Sequence, residues 1–277
     1  MKNQWKRLLS LFLCLMLLMV GFSSTTLAAK TSGKCGKHAT WSYNKKKKTL
    51  TISGKGEIKD TWSKYLGDTK VTVVIKEGIT SIGKDAFSEN SIKKLSLPKS
   101  LTTIGAFAFS NLDCTMPSSV TVPKNVKKIG YHAFVGCEGL KSIKVAKGNK
   151  YYTSKDGVLF NKDKTTLICC PSDKTGKYTI PDGVKTIEEF AFQDSGLKKL
   201  TVPESVKKIK ESAFYGAGFE LYFMGHVPSG LTGELEDEDE CYIEKVTYPR
   251  DYEEEWDTFI NKLENNNIKW YYWWYED

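Results

Sequence analysis

Apolar positions recur along this chain in a fixed frame. Ala-Phe pairs stand at 86-87, 108-109, 133-134, 191-192 and 213-214, and Pro98, Pro123, Pro181 and Pro203 lie ten residues before the last four alanines. Between proline and alanine come Leu101 and Ile104, Val126 and Ile129, Val184 and Ile187, Val206 and Ile209. Ile79 and Ile82 open the series, with Lys76 in place of the proline. The alternating triplets Leu95-x-Leu97, Val120-x-Val122, Tyr178-x-Ile180 and Leu200-x-Val202 precede the prolines, matched by Ile143-x-Val145. A unit of about 22 residues is too short to enclose a core, so its apolar side chains are buried only if copies stack. A solenoid is predicted. Each triplet reads as a short strand with alternate residues inward, ended by a proline that cannot donate to the ladder. The alanines mark close approach of neighbouring backbones, and Phe87, Phe109, Phe134, Phe192 and Phe214 are expected to stack as one buried row of five rings.

The flanks follow other periods. Trp41-x-Tyr43 and Leu50-x-Ile52 alternate on either side of Asn44 and four lysines at 45–48, which predicts a hairpin with a solvated tip. Tyr252, Trp256, Phe259, Ile260 and Leu263 fall on one helical face, beginning near Asp251 and stopped by asparagines at 265–267, and this helix should lie across the last coil. The final aromatic run at 270–275 reads as a strand closing that cap; aromatic stacking on sugar rings is its other use. Inside the repeat region, 157–160 and 166–168 read as two strands of a hairpin joined by a polar turn. The expected organisation is an export signal at 1–29, an N-terminal β cap at 30–70, a solenoid at 71–225 with the hairpin insertion at about 147–177, and an acidic, aromatic cap at 226–277.

The stretch from Ala133 through Cys137 and Leu140 to Val145, and the unit from Leu200 through Pro203, Val206 and Ile209 to Phe214, resemble the BspA-like leucine-rich repeats of secreted and cell-surface bacterial proteins. The segment from Cys35 to Gly56 resembles the start of the family's secreted members, and the insertion resembles a hairpin that they often carry. The resemblance implies a leucine-rich repeat solenoid, mainly parallel β with short helical turns, an N-terminal β-hairpin cap and a C-terminal α+β cap. It also implies adhesion to host proteins, without a fixed set of binding residues to carry over.

Composition narrows the picture further. A content of 40% apolar and 12% aromatic residues excludes general disorder. Lys2, Lys6 and Arg7 precede an apolar run of 13 residues from Leu8 to Val20, then small residues ending at Ala29, which is an export pattern too short for a membrane span. Cys14 lies inside that run, so no lipid anchor is expected, and the mature chain reads as freely secreted or non-covalently attached to a cell surface. Residues 30–230 carry +16 and residues 231–277 carry −11, which suggests either an acidic partner or internal neutralisation. The cysteine spacings form no small-domain framework, so few or no disulfides are expected. Cys137, three residues after Phe134, takes the place of Asn90, Ser195 and Ala217 in other copies and reads as a small buried residue.

Chemistry finds little support. His38, His132 and His226 begin no metal or nucleophile pattern, and Glu188 and Glu189 read as neighbours on an outer turn without a pocket. The acidic run at 236–240 lacks the spacing of a calcium loop. No catalytic residue, metal or cofactor is expected. What remains is a surface: Lys94 and Ser96, Ser119 and Thr121, Ser142 and Lys144, Lys177 and Thr179, Lys199 and Thr201 point outward, side by side on five coils at roughly 4.8 Å, with no aromatic anchor among them. The leading expectation is a non-catalytic module that binds an extracellular protein, such as a host matrix component, or an acidic surface. The rival is a glycan- or polyanion-binding module using Trp273 and Trp274 with the lysine face. Nucleic acid and stable membrane insertion are not expected.

Overall fold

Three antiparallel strands start the fold: β1 (Ser32–Lys34), β2 (His38–Asn44) and β3 (Thr49–Ile58). The computed structural model describes residues 31–277 except 60, 68, 89, 111–114, 237–241, 244, 264–267 and 274–277. The expected export signal, the acidic residues at 237–240, the asparagines at 265–267 and Trp274 therefore lie outside the described residues. Alternation buries Trp41, Leu50 and Ile52, while the tip of the hairpin is held by Asn44 Oδ1, which accepts the Lys47 N–H at 2.8 Å. A short helix, α1 (Ser63–Leu66), follows the buried Trp62.

Strand β3 seeds the solenoid. Its first half pairs in parallel with β4 (Val71–Ile75), Thr49 opposite Thr72, and its second half pairs with β5 (Ile79–Ile82), Ile58 opposite Ile82. One strand therefore starts two ladders. Each later coil repeats the pair: β6 (Ile92–Ser96) with β7 (Thr103–Ile104), then β8 (Ser119–Val122) with β9 (Lys128–Ile129). Between the two strands the chain turns on the proline, whose carbonyl accepts an N–H three residues on: Leu101 to Pro98 at 3.2 Å, Val126 to Pro123 at 3.2 Å and Val206 to Pro203 at 3.0 Å. Lys76 makes the same turn with Ile79 at 3.4 Å, so proline presets this turn but is not required for it. The next corner bends at the residue before each Ala-Phe pair. Asp85, Phe107, His132, Phe190 and Ser212 all have φ between 52° and 54°, a left-handed conformation that costs a non-glycine residue about 1–2 kcal/mol.

The fourth coil departs from this plan. β10 (Ser142–Val145) pairs with β8, then β11 (Tyr152–Lys155), β12 (Val158–Asn161) and β13 (Thr166–Cys169) form an antiparallel meander. The two expected hairpin strands are present, and β11 is an additional one. After it come β14 (Gly176–Thr179), β15 (Thr186–Ile187), β16 (Leu197–Val202), β17 (Lys208–Ile209) and β18 (Glu220–Phe223). Thr166 and Leu167 of β13 lie in parallel register with Thr186 and Ile187 of β15, so the insertion returns as a coil of the solenoid.

Asn149 fixes the point where the insertion leaves. It is 2% exposed; its Nδ2 donates to the Pro123 and Val126 carbonyls at 3.0 Å, and its Oδ1 accepts the Tyr151 and Tyr152 N–H groups at 2.8 and 2.9 Å. Asn149→Ala leaves buried carbonyls without donors, at about 1–3 kcal/mol for a group so stranded. A fall in the urea midpoint of about 1 M or less is expected, given a typical slope; an unchanged midpoint would mean that water replaces all four bonds.

The inner faces converge on an aromatic row that differs from the expected one. Trp62 extends it at one end, 6.0 Å from Phe87, and Phe87, Phe109 and Phe134 stack at 5.5 and 5.4 Å. The row then stops. Cys169 and Cys170 occupy the next Ala-Phe place: the Cys170 N–H donates to the Ala191 carbonyl at 2.7 Å, as Phe109 donates to Ala133 at 3.1 Å. Phe192, Phe214 and Phe219 resume beyond them in tilted and edge contacts at 5.6–6.0 Å. Two thiols thus divide the expected five-ring stack into two apolar clusters, Cys169 in the first and Cys170 in the second. Cys137 is fully buried as expected, its thiol donating to the Phe109 carbonyl at 3.2 Å.

The far end is closed by α2 (Leu231–Glu236), β19 (Lys245–Pro249), a 3-10 turn at Arg250–Tyr252 running into α3 (Glu253–Ile260), and β20 (Lys269–Trp273). Trp256 of α3 is fully buried, and Tyr252, Phe259, Ile260 and Leu263 pack half-buried against the same core, as the helical spacing predicts. Helix is otherwise scarce among the described residues, the coil returns being hydrogen-bonded turns. None of those helices is long and apolar enough to cross a membrane.

Candidate functional site

Of the outward residues on the first strand of each coil, Ser142, Lys199 and Thr201 are half-buried and the rest exposed, and they do not form one five-coil ladder. Lys94 and Ser96 sit on β6, at the edge of the sheet that includes β3 and β4. Thr121 and Lys144 lie directly opposite one another on the two-stranded sheet of β8 and β10. Thr179, Lys199 and Thr201 belong to the five-stranded sheet β14-β16-β18-β19-β20. Each break has a cause. Pro117, without an N–H, stands between β8 and the bond that Ile92 makes to the Thr115 carbonyl. Beyond β10, the insertion supplies the partners: the Ile143 N–H donates to the Gly157 carbonyl at 2.8 Å and the Val145 N–H to Ser154 Oγ at 3.0 Å. Across the first break, Ser96 and Thr121 line one shallow groove of about 580 Å³.

The five-stranded sheet joins two sites that the sequence treats as alternatives. Its outward columns read Lys177, Lys199, Glu220 and Thr179, Thr201, Tyr222, and the second column continues through Thr247 to Tyr271. Aromatic residues from strands beyond the five predicted ones therefore adjoin the lysine and threonine positions. Lys199 Nζ lies 3.1 Å from the centroid of the Tyr222 ring, and Lys245 Nζ lies 5.9 Å from Tyr222 and 5.2 Å from Tyr271. Glu220 ties the group together, bonding Lys245 at 3.4 Å and accepting the Tyr222 hydroxyl at 3.1 Å. Desolvation works against the Lys245 ammonium, but Tyr222 and Glu220 outweigh it and raise its pKa. Thr247, between the tyrosines, is 5% exposed and its hydroxyl has no partner. The Trp273 backbone ends this sheet opposite Pro249.

Tyr222 and Tyr271 escape a reading based on the proline frame because their strands lack the proline. A fainter signal is present. Lys245-Val-Thr-Tyr248 and Lys269-Trp-Tyr-Tyr272 share a pattern one coil apart, and Lys245 does pair with Lys269.

Glu188 and Glu189 require a correction, because they line a pocket of about 310 Å³ with Tyr131, His132, Tyr152 and Cys169. The pocket is a missing corner. Three residues separate Ile187 from its Ala191-Phe192 pair, but only Ile168 separates Leu167 from Cys169-Cys170, so that coil cuts straight across and leaves a slot between its neighbours. The Tyr131 hydroxyl donates to Glu189 at 2.5 Å, and this bond raises the phenol pKa to about 12. Glu188 pairs with Lys210 at 2.6 Å. His132 is stacked 3.4 Å from Tyr131; burial lowers its pKa, and its Nε2 has no partner. Both carboxylates are committed within the protein, and burial pushes the Cys169 thiol well above its ordinary pKa. Among the described residues no three His, Cys, Asp or Glu side chains are grouped to hold a metal ion.

The sequence matches the family described as BspA type Leucine rich repeat region, in six copies across residues 69–174 and 169–224. No curated protein gives a match. Among solved structures, one similar chain is a leucine-rich repeat protein from Eubacterium ventriosum, at 20% identity, covering 88% of this chain and 84% of that one with a TM-score of 0.48. Another is the pneumococcal vaccine antigen PcpA, at 16% identity, 87% and 98% coverage and a TM-score of 0.46. A third is a leucine-rich cell surface protein from Faecalibacterium prausnitzii, at 16% identity, 90% and 96% coverage and a TM-score of 0.45.

Proposed function

The chain belongs to the BspA-type leucine-rich repeat family, and from that premise we propose that it is a secreted or surface-associated bacterial binding protein, non-catalytic, that holds an extracellular protein in the manner of an adhesin. One observation carries this reading: Tyr222 and Tyr271 stand in one outward column of a five-stranded sheet with Lys199 and Lys245 against their rings. Rigid aromatic anchors on a regular sheet are the chemistry of protein interface hot spots. Lys177, Lys199, Lys245 and Lys269 on the same sheet steer an acidic partner toward them.

The test is an array of extracellular matrix proteins and oligosaccharides probed with the parent chain, Tyr222→Ala and Tyr271→Ala. Retention on a protein, weakened about 30-fold by either change, is expected; that is the ~2 kcal/mol of a hot-spot residue. Retention on oligosaccharides alone, abolished by Trp273→Ala with Trp274→Ala, would replace the reading with a glycan-binding module.

A further inference from the structure

At the other end of the described fold, the β2–β3 hairpin carries its tip over the first coils. Lys46, Lys47 and Lys48 come together with Lys70, just before β4, and with Lys93 and Lys94 in β6. These six lysines line one open basin of about 770 Å³, with Thr72, Pro117 and Ser118 also in its wall. The backbone makes the grouping obligatory. The Thr72 N–H donates to the Lys48 carbonyl at 2.9 Å, and Thr49, Thr72 and Lys94 stand opposite one another on β3, β4 and β6. Successive strands lie about 4.8 Å apart, so the hairpin lysines and those of β6 flank the same short stretch of sheet.

The tip is rigid as well as charged. Asn44 holds the Lys47 N–H, the Thr49 hydroxyl donates to the Lys47 carbonyl at 3.0 Å, and Lys48 is fixed at a φ of 47°. The ion pairs among the described residues involve none of the six lysines. A preformed cluster of six cations that has no carboxylate partner among the described residues repels itself, and an anionic ligand relieves that repulsion with little further ordering.

The geometry points to a second binding site here, for a sulfated polysaccharide. Charge density selects a polyanion, and the other wall residues narrow its kind. Among the described residues no aromatic ring lines the basin, so they offer a nucleic acid base nothing to stack on. Lysine-rich, aromatic-free surface is also poor protein-interface chemistry, since lysine is depleted at interface cores. The Thr72 and Ser118 hydroxyls suit sugar hydroxyls, and Pro117 suits the C–H face of a sugar ring. A bare phosphate polymer uses neither. This site is independent of the tyrosine face, so either can fail without the other.

The experiment measures binding of a heparin decasaccharide to the full chain at 50–300 mM salt, with inorganic polyphosphate and single-stranded DNA of matched charge as comparators. The parent chain is expected to prefer heparin, with log affinity falling against log salt by a slope of about 4, roughly 0.7 for each lysine engaged. Replacing Lys46, Lys47 and Lys48 by serine should weaken heparin binding at least tenfold and reduce the slope by about 2. Replacing Lys93 and Lys94 by serine should also weaken it. A control with Lys185, Lys207 and Lys208 changed to serine loses the same charge from exposed positions elsewhere, and should bind as the parent does. Equal weakening by the control would reduce the effect to net charge and overturn the site. Equal or tighter binding of polyphosphate or DNA would overturn the sugar assignment, and absence of heparin binding at 50 mM salt would overturn both. Tyr222→Ala should leave heparin affinity unchanged.

Discussion

Phe134→Ala is expected to destabilise the protein by about 3–5 kcal/mol, the range for truncating a well-packed aromatic core residue. The ring is 2% exposed and stacks on Phe109 at 5.4 Å with an interplanar angle of 10°. Cys169, whose thiol donates to the Phe134 carbonyl at 3.7 Å, is too small to fill the space, and Phe134 and Cys169 both line the slot left by the missing corner. The cavity therefore opens onto a pre-existing void instead of collapsing, which places the cost toward the upper part of the range. Thr121→Ala is the control: the side chain points outward on β8 and its loss should change stability by no more than about 0.5 kcal/mol. Denaturant midpoints read by fluorescence and by circular dichroism should move for the first variant and not the second. Equal movement would mean that the in and out faces are wrongly assigned.

How legible such a residue was depended on repetition. Phe134 could be placed from sequence because four other phenylalanines occupy its offset, and the inward triplets because period-two alternation recurs at about 22 residues. Trp62 could not, since it completes the row from a loop that belongs to no repeat. Cys169 and Cys170 were hidden twice over, by residue type and by a corner two residues short. That same deletion turned Glu188 and Glu189 from an outer turn into a pocket wall.

The candidate surface was legible only in its parts. Outward positions such as Lys199 and Thr201 follow from alternation along one strand, but which strands adjoin depends on where the ladder is interrupted. Pro117 and Gly157 set those interruptions, and neither carries a repeat signal. Lysines 45–48 were readable as a solvated tip; that they meet Lys93 and Lys94 follows from β3 entering a parallel ladder, a long-range pairing with no local trace. Chemistry carried by one repeated position is thus visible in the sequence, while chemistry assembled across an irregularity emerges only once the chain is folded.

Trp256→Ala is expected to remove the C-terminal cap while sparing the start of the solenoid. The indole is fully buried, 4.9 Å from Phe223, 5.3 Å from Tyr248 and 6.4 Å from Trp270, and its Nε1 donates to the buried Gly225 carbonyl at 3.0 Å. Truncation should cost about 3–5 kcal/mol, plus about 1–3 kcal/mol if the Gly225 carbonyl stays dry. Helix α3 cannot absorb that loss, because eight residues are too few to be helical alone and its three first-turn glutamates add only tenths of a kcal/mol each. The Glu255 carboxylate, at 2.6 Å from His226 Nδ1, is an exposed contact worth little by itself. Since each coil is stabilised by its neighbours, loss of the cap should fray β19 and β20 first and leave β4 and β6 intact. Hydrogen exchange should then show lost protection at Val246 and Tyr248 with little change at Val73 and Leu95. Trp256→Phe keeps a ring but no donor, and should fall between parent and alanine variant. Binding divides the same way: Tyr271 leaves with β20, so the protein partner should be lost, while heparin affinity at the lysine basin persists. Uniform loss of protection across the chain would show that the solenoid unfolds as one cooperative unit, with the cap as its keystone and not a local lid.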